Sequence, residues 1–132
     1  MLLVDTNVLV DVLQDDPQWA GWSIKQLRAQ ANIRQLTINP VIYAEISLSF
    51  STLEALDSAV VTLKLAFREI PQPALFLAAK AYAKYRQRGG NKLQVLPDFL
   101  IGAHAAVEGW PLLTRDASRF RTYFPTLEVL AP

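Results

Sequence analysis

Short apolar runs alternate along the chain with longer segments in which apolar residues recur at helical spacing. The run 2–4 is too short for a helix and stops at an acidic residue, and similar runs lie at 36–38 and 111–114. Strands that alternate with helices are typical of an α/β domain with a parallel sheet. We therefore predict an α/β fold with a mainly parallel sheet of four or five short strands, in a single domain over residues 1–132.

Prolines, glycines and capping residues set the predicted boundaries. Asn39 followed by Pro40 starts a helix, and Gly89 with Gly90 stops another. The predicted strands are 2–4, 36–38, 68–70, 111–114 and 127–130. The predicted helices are 7–14, 17–31, 40–50, 52–67, 73–88 and 97–108, with a short helix capped by Asp116.

The composition of the chain excludes several classes of protein and of site. The chain is 52% hydrophobic and 19% charged, which excludes intrinsic disorder. It has no cysteine and one histidine, which excludes a disulfide scaffold, a thiol nucleophile and a multi-histidine zinc site. We expect no signal peptide, because Asp5 interrupts the first apolar run. We also expect no membrane span, because no apolar run is long enough to cross a bilayer. A cytoplasmic protein is therefore expected.

Three acidic residues lie where sites form in parallel sheets. Asp5 directly follows the first predicted strand, and Asp116 follows the fourth by two residues, so both lie at carboxyl ends, where open sheets bind ligands. Asp98 opens a helix whose following residues are nearly all apolar. Each of the three could instead be a helix cap.

Glu45 is the fourth unusual acid. It lies at helical spacing from Val41 and Leu48, so we expect it to point toward an apolar face. An acid on such a face is rarely buried without a partner, which could be a buried arginine. Taken with the three acids at strand ends and helix starts, Glu45 indicates a single acidic pocket.

An acidic pocket needs compensation. Two carboxylates about 4 Å apart repel by about 4 kcal/mol at an effective dielectric constant near 20. Either some stay protonated or a cation neutralises them. Oxygen ligands favour hard cations such as Mg²⁺ or Mn²⁺ over zinc, and the chemistry they imply is metal-assisted attack of water on a phosphodiester.

Basic residues precede the third acid. No acid occurs between Glu69 and Asp98, and tyrosines are interleaved with the basic side chains of this stretch. The pattern predicts a track that contacts phosphates, although a solvated helix face would give the same spacing. The candidate phosphate-binding residues are Lys84, Arg86, Arg88 and Lys92, with Arg115 beside the fourth acid.

Four motifs in order resemble those of PIN-domain ribonucleases. They are Leu3–Leu9, Tyr43–Ile46, Pro97–Ala105 and Leu113–Asp116, which together span nearly the whole chain. Their order and the chain length are similar to those of VapC-type toxins of bacterial toxin–antitoxin pairs.

The resemblance implies a three-layer α/β/α fold and an Mg²⁺- or Mn²⁺-dependent endoribonuclease toxin that hydrolyses RNA phosphodiester bonds. It also implies inhibition by a cognate VapB-like antitoxin, and a homodimer. By motif matching, the catalytic metal ligands are Asp5, Glu45, Asp98 and Asp116, and the supporting polar residues are Asn7 and Thr114.

Two other functions remain open. A phosphatase that forms an aspartyl phosphate also places an aspartate after its first strand, but it normally needs a second aspartate where this chain has Asn7. The second is a non-catalytic binding module with the same fold. Metal-free cleavage by a histidine pair is excluded because His104 is the only histidine, and we expect it to be a packed or partly exposed helix residue.

Overall fold

Five parallel strands form one sheet in the computed structural model, which describes all residues 1–132. The strands are β1 (Leu2–Val4), β2 (Leu36–Ile38), β3 (Ala66–Phe67), β4 (Leu112–Leu113) and β5 (Val129–Leu130). The helices are α1 (Thr6–Leu13), α2 (Ala20–Ala31), α3 (Pro40–Ile46), α4 (Leu53–Thr62), α5 (Gln72–Gln87), α6 (Leu96–Glu108) and α7 (Ser118–Tyr123). The predicted α/β fold with a parallel sheet is confirmed.

The strand order is β3-β2-β1-β4-β5, so β1 lies in the centre of the sheet. Leu3 pairs with Thr37 of β2 on one side and with Leu112 of β4 on the other. Because crossovers between parallel strands are right-handed, α1–α4 lie on one face and α5–α7 on the opposite face, which gives three layers. The order reverses between β1 and β4, and a crevice opens at such a switch point beyond the carboxyl ends of the strands.

The central strand is buried on both faces. All three residues of β1 have no exposed surface, and β2 and β4 are also buried throughout. This accounts for the continuous apolar sequences of β1 and β4, which differ from the alternation of a half-exposed strand. None of the helices combines the length and apolar character that crossing a membrane requires.

Two of the predicted helix caps are confirmed. The side chain of Asp5 caps α1 by accepting from the Thr6 N–H at 2.8 Å. Asn39 caps α3 by accepting from the Ile42 N–H at 3.0 Å, with Pro40 in the first turn. Both residues therefore end a strand and start a helix.

Asp98 and Asp116 are not caps. Asp98 lies in the first turn of α6, whose N-cap is Val95, and α7 begins after Ala117. The predicted short helix is present as α7, but the assignment of Asp116 as its cap is wrong. Neither carboxylate is used by its own helix, and both remain available to the end of the sheet where Asp5 lies.

The predicted helix 52–67 and edge strand 68–70 are wrong in their boundaries. Helix α4 ends at Thr62, and β3 occupies 66–67. Lys64 adopts a left-handed conformation with φ of 55°, and the Leu65 N–H donates to the Val60 carbonyl. Such a helix end usually carries glycine, so a lysine there gives no warning in the sequence.

The predicted helices 17–31 and 40–50 are too long at one end each. The Asp16 side chain accepts from the Gln18 and Trp19 N–H groups in a turn, and α2 begins only at Ala20. Helix α3 ends at Ile46 and is followed by a single 3₁₀ turn over Ser47–Ser49.

Candidate active site

A cleft of about 290 Å³ lies at the carboxyl end of the central strands. It brings together all four predicted acidic residues, although they are up to 111 positions apart in the sequence. The lining residues are Asp5, Thr6, Asn7, Val10, Glu45, Asp98, Arg115, Asp116 and Phe120. Asp5 and Asp116 come from strand ends, Glu45 from α3 and Asp98 from α6.

Asp5 is the most buried of these acids, with 5% of its surface exposed. Its Oδ1 accepts from the Thr6 N–H, and its Oδ2 accepts from the Thr114 hydroxyl, both at 2.8 Å. The pKa of Asp5 is raised from 3.8 to about 7, chiefly by burial and also by the negative charges of Asp98 and Glu45, while these two hydrogen bonds oppose the shift. Asp5 is therefore a carboxylate whose ionisation is opposed by its surroundings.

Thr114 connects the ends of the two central strands. Besides donating to Asp5, its hydroxyl accepts from the backbone N–H of Asp116 at 3.1 Å. The Asn7 amide lies 3.4 Å from the same hydroxyl, and its Oδ1 accepts from the Arg115 N–H at 3.2 Å. Asn7 and Thr114 thus tie the loop that carries Asp116 to the start of α1.

Glu45 is held by Thr6, whose hydroxyl donates to its Oε1 at 2.6 Å. The buried face of α3 consists of Ile42 and Ile46, and Leu48 is 91% exposed. The expected apolar face through Leu48 is therefore wrong, and so is the alternative of a buried arginine partner. Thr6 was missed by sequence reasoning because a single hydroxyl in a first helical turn gives no signal.

Asp98 forms an ion pair with Arg119 of α7 at 2.8 Å, and both side chains are about one-third exposed. Burial nevertheless raises the pKa of the Asp98 carboxyl above its ordinary value. Arg119 opposes this shift, whereas the charges of Glu45 and Asp116 add to it. One arginine does not compensate the negative charge of this cleft.

The donor chemistry of the cleft fits a hard divalent cation. Its ligating atoms are carboxylate, hydroxyl and amide oxygens, which suit Mg²⁺ or Mn²⁺ better than zinc. Burial, together with the nearby charges of Asp98 and Glu45, raises the pKa of Asp5, and a cation bound there would favour its ionised form. As they stand, no three acidic or histidine side chains form a group that could hold an ion. In this arrangement Glu45 is bonded to Thr6, and Asp98 to Arg119.

The basic candidates fall into two groups. Lys84, Arg86, Arg88 and Lys92 are all exposed on or just after α5. Arg115 differs, because its guanidinium bonds to both carboxylate oxygens of Asp11, at 2.8 and 3.1 Å.

Asp11 is the charged residue that sequence reasoning missed. It is 2% exposed, and it also accepts from the Ser23 hydroxyl of α2 at 3.1 Å. A signal was present, because Asp11 lies three positions after Val8 on the buried face of α1. Asp11 is thus an acid at helical spacing from an apolar residue, as Glu45 is, and it lies on the buried face of its helix.

His104 is fully buried and takes no part in the cleft. Asn39 uses its oxygen to cap α3, so its amide nitrogen donates to His104 Nδ1, 3.1 Å away. Burial lowers the pKa of His104, which keeps the ring neutral. The expectation of a packed, non-catalytic histidine agrees with this position.

Comparison with known proteins relates the chain to one family. A PIN domain family model matches residues 2–124. The fold is similar to that of VapBC2 from Rickettsia felis bound to a promoter DNA fragment, with a TM-score of 0.75, 19% identity, and coverage of 99% of this chain and 98% of that chain. It is also similar to VapBC-1 from nontypeable Haemophilus influenzae, with a TM-score of 0.74, 16% identity and coverage of 98% and 96%. A third similar structure is a toxin–antitoxin complex from Klebsiella pneumoniae, with a TM-score of 0.71, 21% identity, and coverage of 98% of this chain and 96% of that chain. No curated protein sequence matches the chain.

Proposed function

Because this chain belongs to the PIN domain family, we propose that it is an endoribonuclease that hydrolyses RNA phosphodiester bonds with a divalent cation, Mg²⁺ or Mn²⁺. The observation that carries the proposal is the convergence of Asp5, Glu45, Asp98 and Asp116 on one cleft at the switch point of the sheet. Their mutual repulsion in a partly buried site makes a cation the natural counter-charge.

Neighbouring threonines orient two of the proposed metal-binding carboxylates. A bound divalent cation would make a water molecule nucleophilic and stabilise negative charge on the phosphate. The Thr6 N–H and the Thr114 hydroxyl fix the orientation of the Asp5 carboxylate. The Thr6 hydroxyl does the same for Glu45. Such supporting contacts keep metal-ligating groups in place.

The competing functions have less support. A phosphatase of the aspartyl-phosphate type needs a general acid near Asp5. At the expected position Asn7 carries no acid, and its amide is engaged with Thr114 and Arg115. A non-catalytic module would gain nothing from a buried carboxylate with a raised pKa, because each such group lowers the stability of the fold.

We expect the purified protein to cleave single-stranded RNA internally when Mg²⁺ or Mn²⁺ is present. Chelation with EDTA should stop cleavage, and an excess of the cation should restore it, because the carboxylates supply no nucleophile themselves. Gel analysis of an end-labelled oligoribonucleotide measures this result. Equal cleavage in EDTA would refute metal dependence, and a beryllium-fluoride adduct on Asp5 would favour the phosphatase.

The exposed basic residues are proposed to contact RNA phosphates. Replacing Lys84, Arg86 and Arg88 together by glutamine should weaken RNA binding and lower the slope of log affinity against log salt by about 2, the value for three phosphate contacts on a single strand. The variant with glutamine at Lys25 and Arg28 of α2 and at Lys64 loses the same charge elsewhere and serves as control. Equal slopes in both variants would make the first group a solvated face.

We also propose that the chain is the toxin of a toxin–antitoxin pair, that a small VapB-like antitoxin inhibits it, and that it forms a homodimer. The support is the fold shared with chains from toxin–antitoxin complexes. Several large apolar side chains are exposed, among them Phe76 at 66%, Leu93 at 69% and Val61 at 75%. Single exposed apolar residues are common on protein surfaces, so the shared fold is what supports this proposal.

A further inference from the structure

A second pocket of about 320 Å³ adjoins the acidic cleft. The two share Asp116, and Arg119 lines the second pocket while its guanidinium reaches Asp98 in the first. The lining residues of the second pocket are Tyr85, Asp116, Ser118, Arg119, Thr122 and Tyr123. The proposed metal site includes neither of the two tyrosines and neither of the two hydroxyl residues of this pocket.

The walls combine aromatic rings, hydroxyl groups and cations. The rings of Tyr85 and Tyr123 lie 6.2 Å apart at 78° to each other, and both residues are partly exposed. The guanidinium of Arg88 lies 5.3 Å from the centre of the Tyr123 ring. Arg119 lies 6.0 Å from the centre of the Tyr85 ring. Proteins that bind single-stranded RNA use this combination, because bases stack on aromatic rings while cations meet the backbone.

Neighbouring residues pack against the rings of Tyr85 and Tyr123 and hold them in place. Phe99 contacts both, with ring centres 5.6 Å from Tyr85 and 5.2 Å from Tyr123. Gly90 packs so closely against the Tyr85 ring that any β-carbon at this position would collide with it. The Tyr85 hydroxyl also accepts from the Lys92 N–H at 3.3 Å. A ligand that enters the pocket therefore meets aromatic walls that are already in place, which reduces the entropy cost of binding.

We propose that this pocket binds the base of a nucleotide next to the scissile phosphate of single-stranded RNA, and that Arg119 contacts the phosphate of that nucleotide. The proposal rests on the proposed ribonuclease function and adds to it a subsite that senses a base. A base fits better than a phosphate here because Asp116 in the wall repels an anion, whereas it accepts hydrogen bonds from a base.

The direct test uses the wild-type protein and a single-stranded heptaribonucleotide in which one base at a time is removed to leave an abasic ribose. Affinity is measured by fluorescence anisotropy in EDTA, so that no cleavage occurs, and kcat/KM is measured separately in Mg²⁺. We expect removal of the base at one position to weaken binding about 10-fold, which is the worth of one base–aromatic stack. Removal at the other positions should have smaller effects.

A variant then assigns the effect to the pocket. Thr122 is exposed at its mouth, and Thr122→Met fills the space with a flexible apolar chain and no aromatic face. We expect this variant to bind intact RNA about 5- to 10-fold more weakly and to lose its sensitivity to the abasic position. Thr126→Met makes the same change at an exposed threonine outside the pocket and should behave as wild type.

The outcomes separate the two proposals. If wild type cleaves RNA in Mg²⁺ but tolerates an abasic ribose at every position, the base pocket is refuted and the ribonuclease stands. Sensitivity that persists unchanged in Thr122→Met places the base elsewhere and also refutes the pocket. Absence of any RNA binding or cleavage overturns both proposals. The abasic series on wild type requires no variant, so it can refute the base subsite even if Thr122→Met does not fold.

Discussion

Asp5→Asn is expected to reduce metal-dependent RNA cleavage by more than about 100-fold, because the substitution removes the most enclosed carboxylate of the cleft. Asparagine keeps the size of the side chain and can still accept from the Thr6 N–H, so the loss would come from the missing charge. The measurement is kcat/KM on a defined oligoribonucleotide. Unchanged cleavage would refute the assignment of the site.

The same substitution should stabilise the metal-free protein. Below pH 3.8 Asp5 is protonated in both the unfolded and the folded state. Between pH 3.8 and about 7 the folded state retains a proton that the unfolded state has released, so the free energy of unfolding falls as pH rises. The full penalty, at most about 4 kcal/mol for a shift of this size, is present above pH 7.

Thermal unfolding across this pH range tests the charge argument. In EDTA, Asp5→Asn should melt several degrees higher than wild type at pH 8, and the difference should shrink toward pH 4. Addition of Mg²⁺ should raise the melting temperature of wild type and have little effect on the variant. Glu69→Gln changes an exposed carboxylate outside the cleft and should leave both stability and cleavage unchanged. A lower melting temperature for Asp5→Asn at every pH would contradict the repulsion argument.

The part of the site that lies at strand ends could be predicted from the sequence. A buried parallel strand shows itself as an uninterrupted apolar run, and the residue that follows it lies at the carboxyl edge of the sheet. This is enough to place Asp5 and Asp116 at the same edge of the sheet before any coordinates are known. The strand 68–70 was misplaced because Lys64 ends α4 in a conformation that its own chemistry disfavours.

The partners of the acids could not be predicted in the same way. Arg119 is 21 residues from Asp98, and Arg115 is 104 residues from Asp11. Nothing in the local pattern indicates which of several arginines meets which acid, because long-range pairing depends on how helices pack. For Asp11, helical periodicity places the acid on the buried face of α1, and the three-dimensional fold then selects its partner.

Arg115→Met is expected to destabilise the protein by about 2–3 kcal/mol at neutral pH. The side chain of Asp11 is 3% exposed, and without Arg115 the Ser23 hydroxyl is its only hydrogen-bond partner among the side chains. Removing one member of a buried ion pair typically costs about 3–5 kcal/mol, and the 31% exposure of the Arg115 side chain reduces that value. Urea unfolding monitored by tryptophan fluorescence measures the loss.

The double variant Asp11→Asn with Arg115→Met isolates the interaction. Because it removes the unpaired charge as well, it should lose less stability than the sum of the two single variants. Strict additivity would mean that the pair does not act as a unit. Asp57→Asn changes an exposed partner of Tyr43 far from this pair and gives the background effect of losing one carboxylate.

These variants also decide what Arg115 does. Its guanidinium is bonded to Asp11 and lies 5.4 Å from the centre of the Trp19 ring, while its backbone N–H holds Asn7 beside Thr114. Through these contacts Arg115 holds the loop that carries Asp116 in place against α1. If this is its role, Arg115→Met lowers stability and cleavage but leaves the salt slope of RNA binding unchanged. If it contacts RNA, as the sequence suggested, the slope falls as it should in the α5 variant. Because two of its N–H groups already bond to a buried carboxylate, we expect the first result.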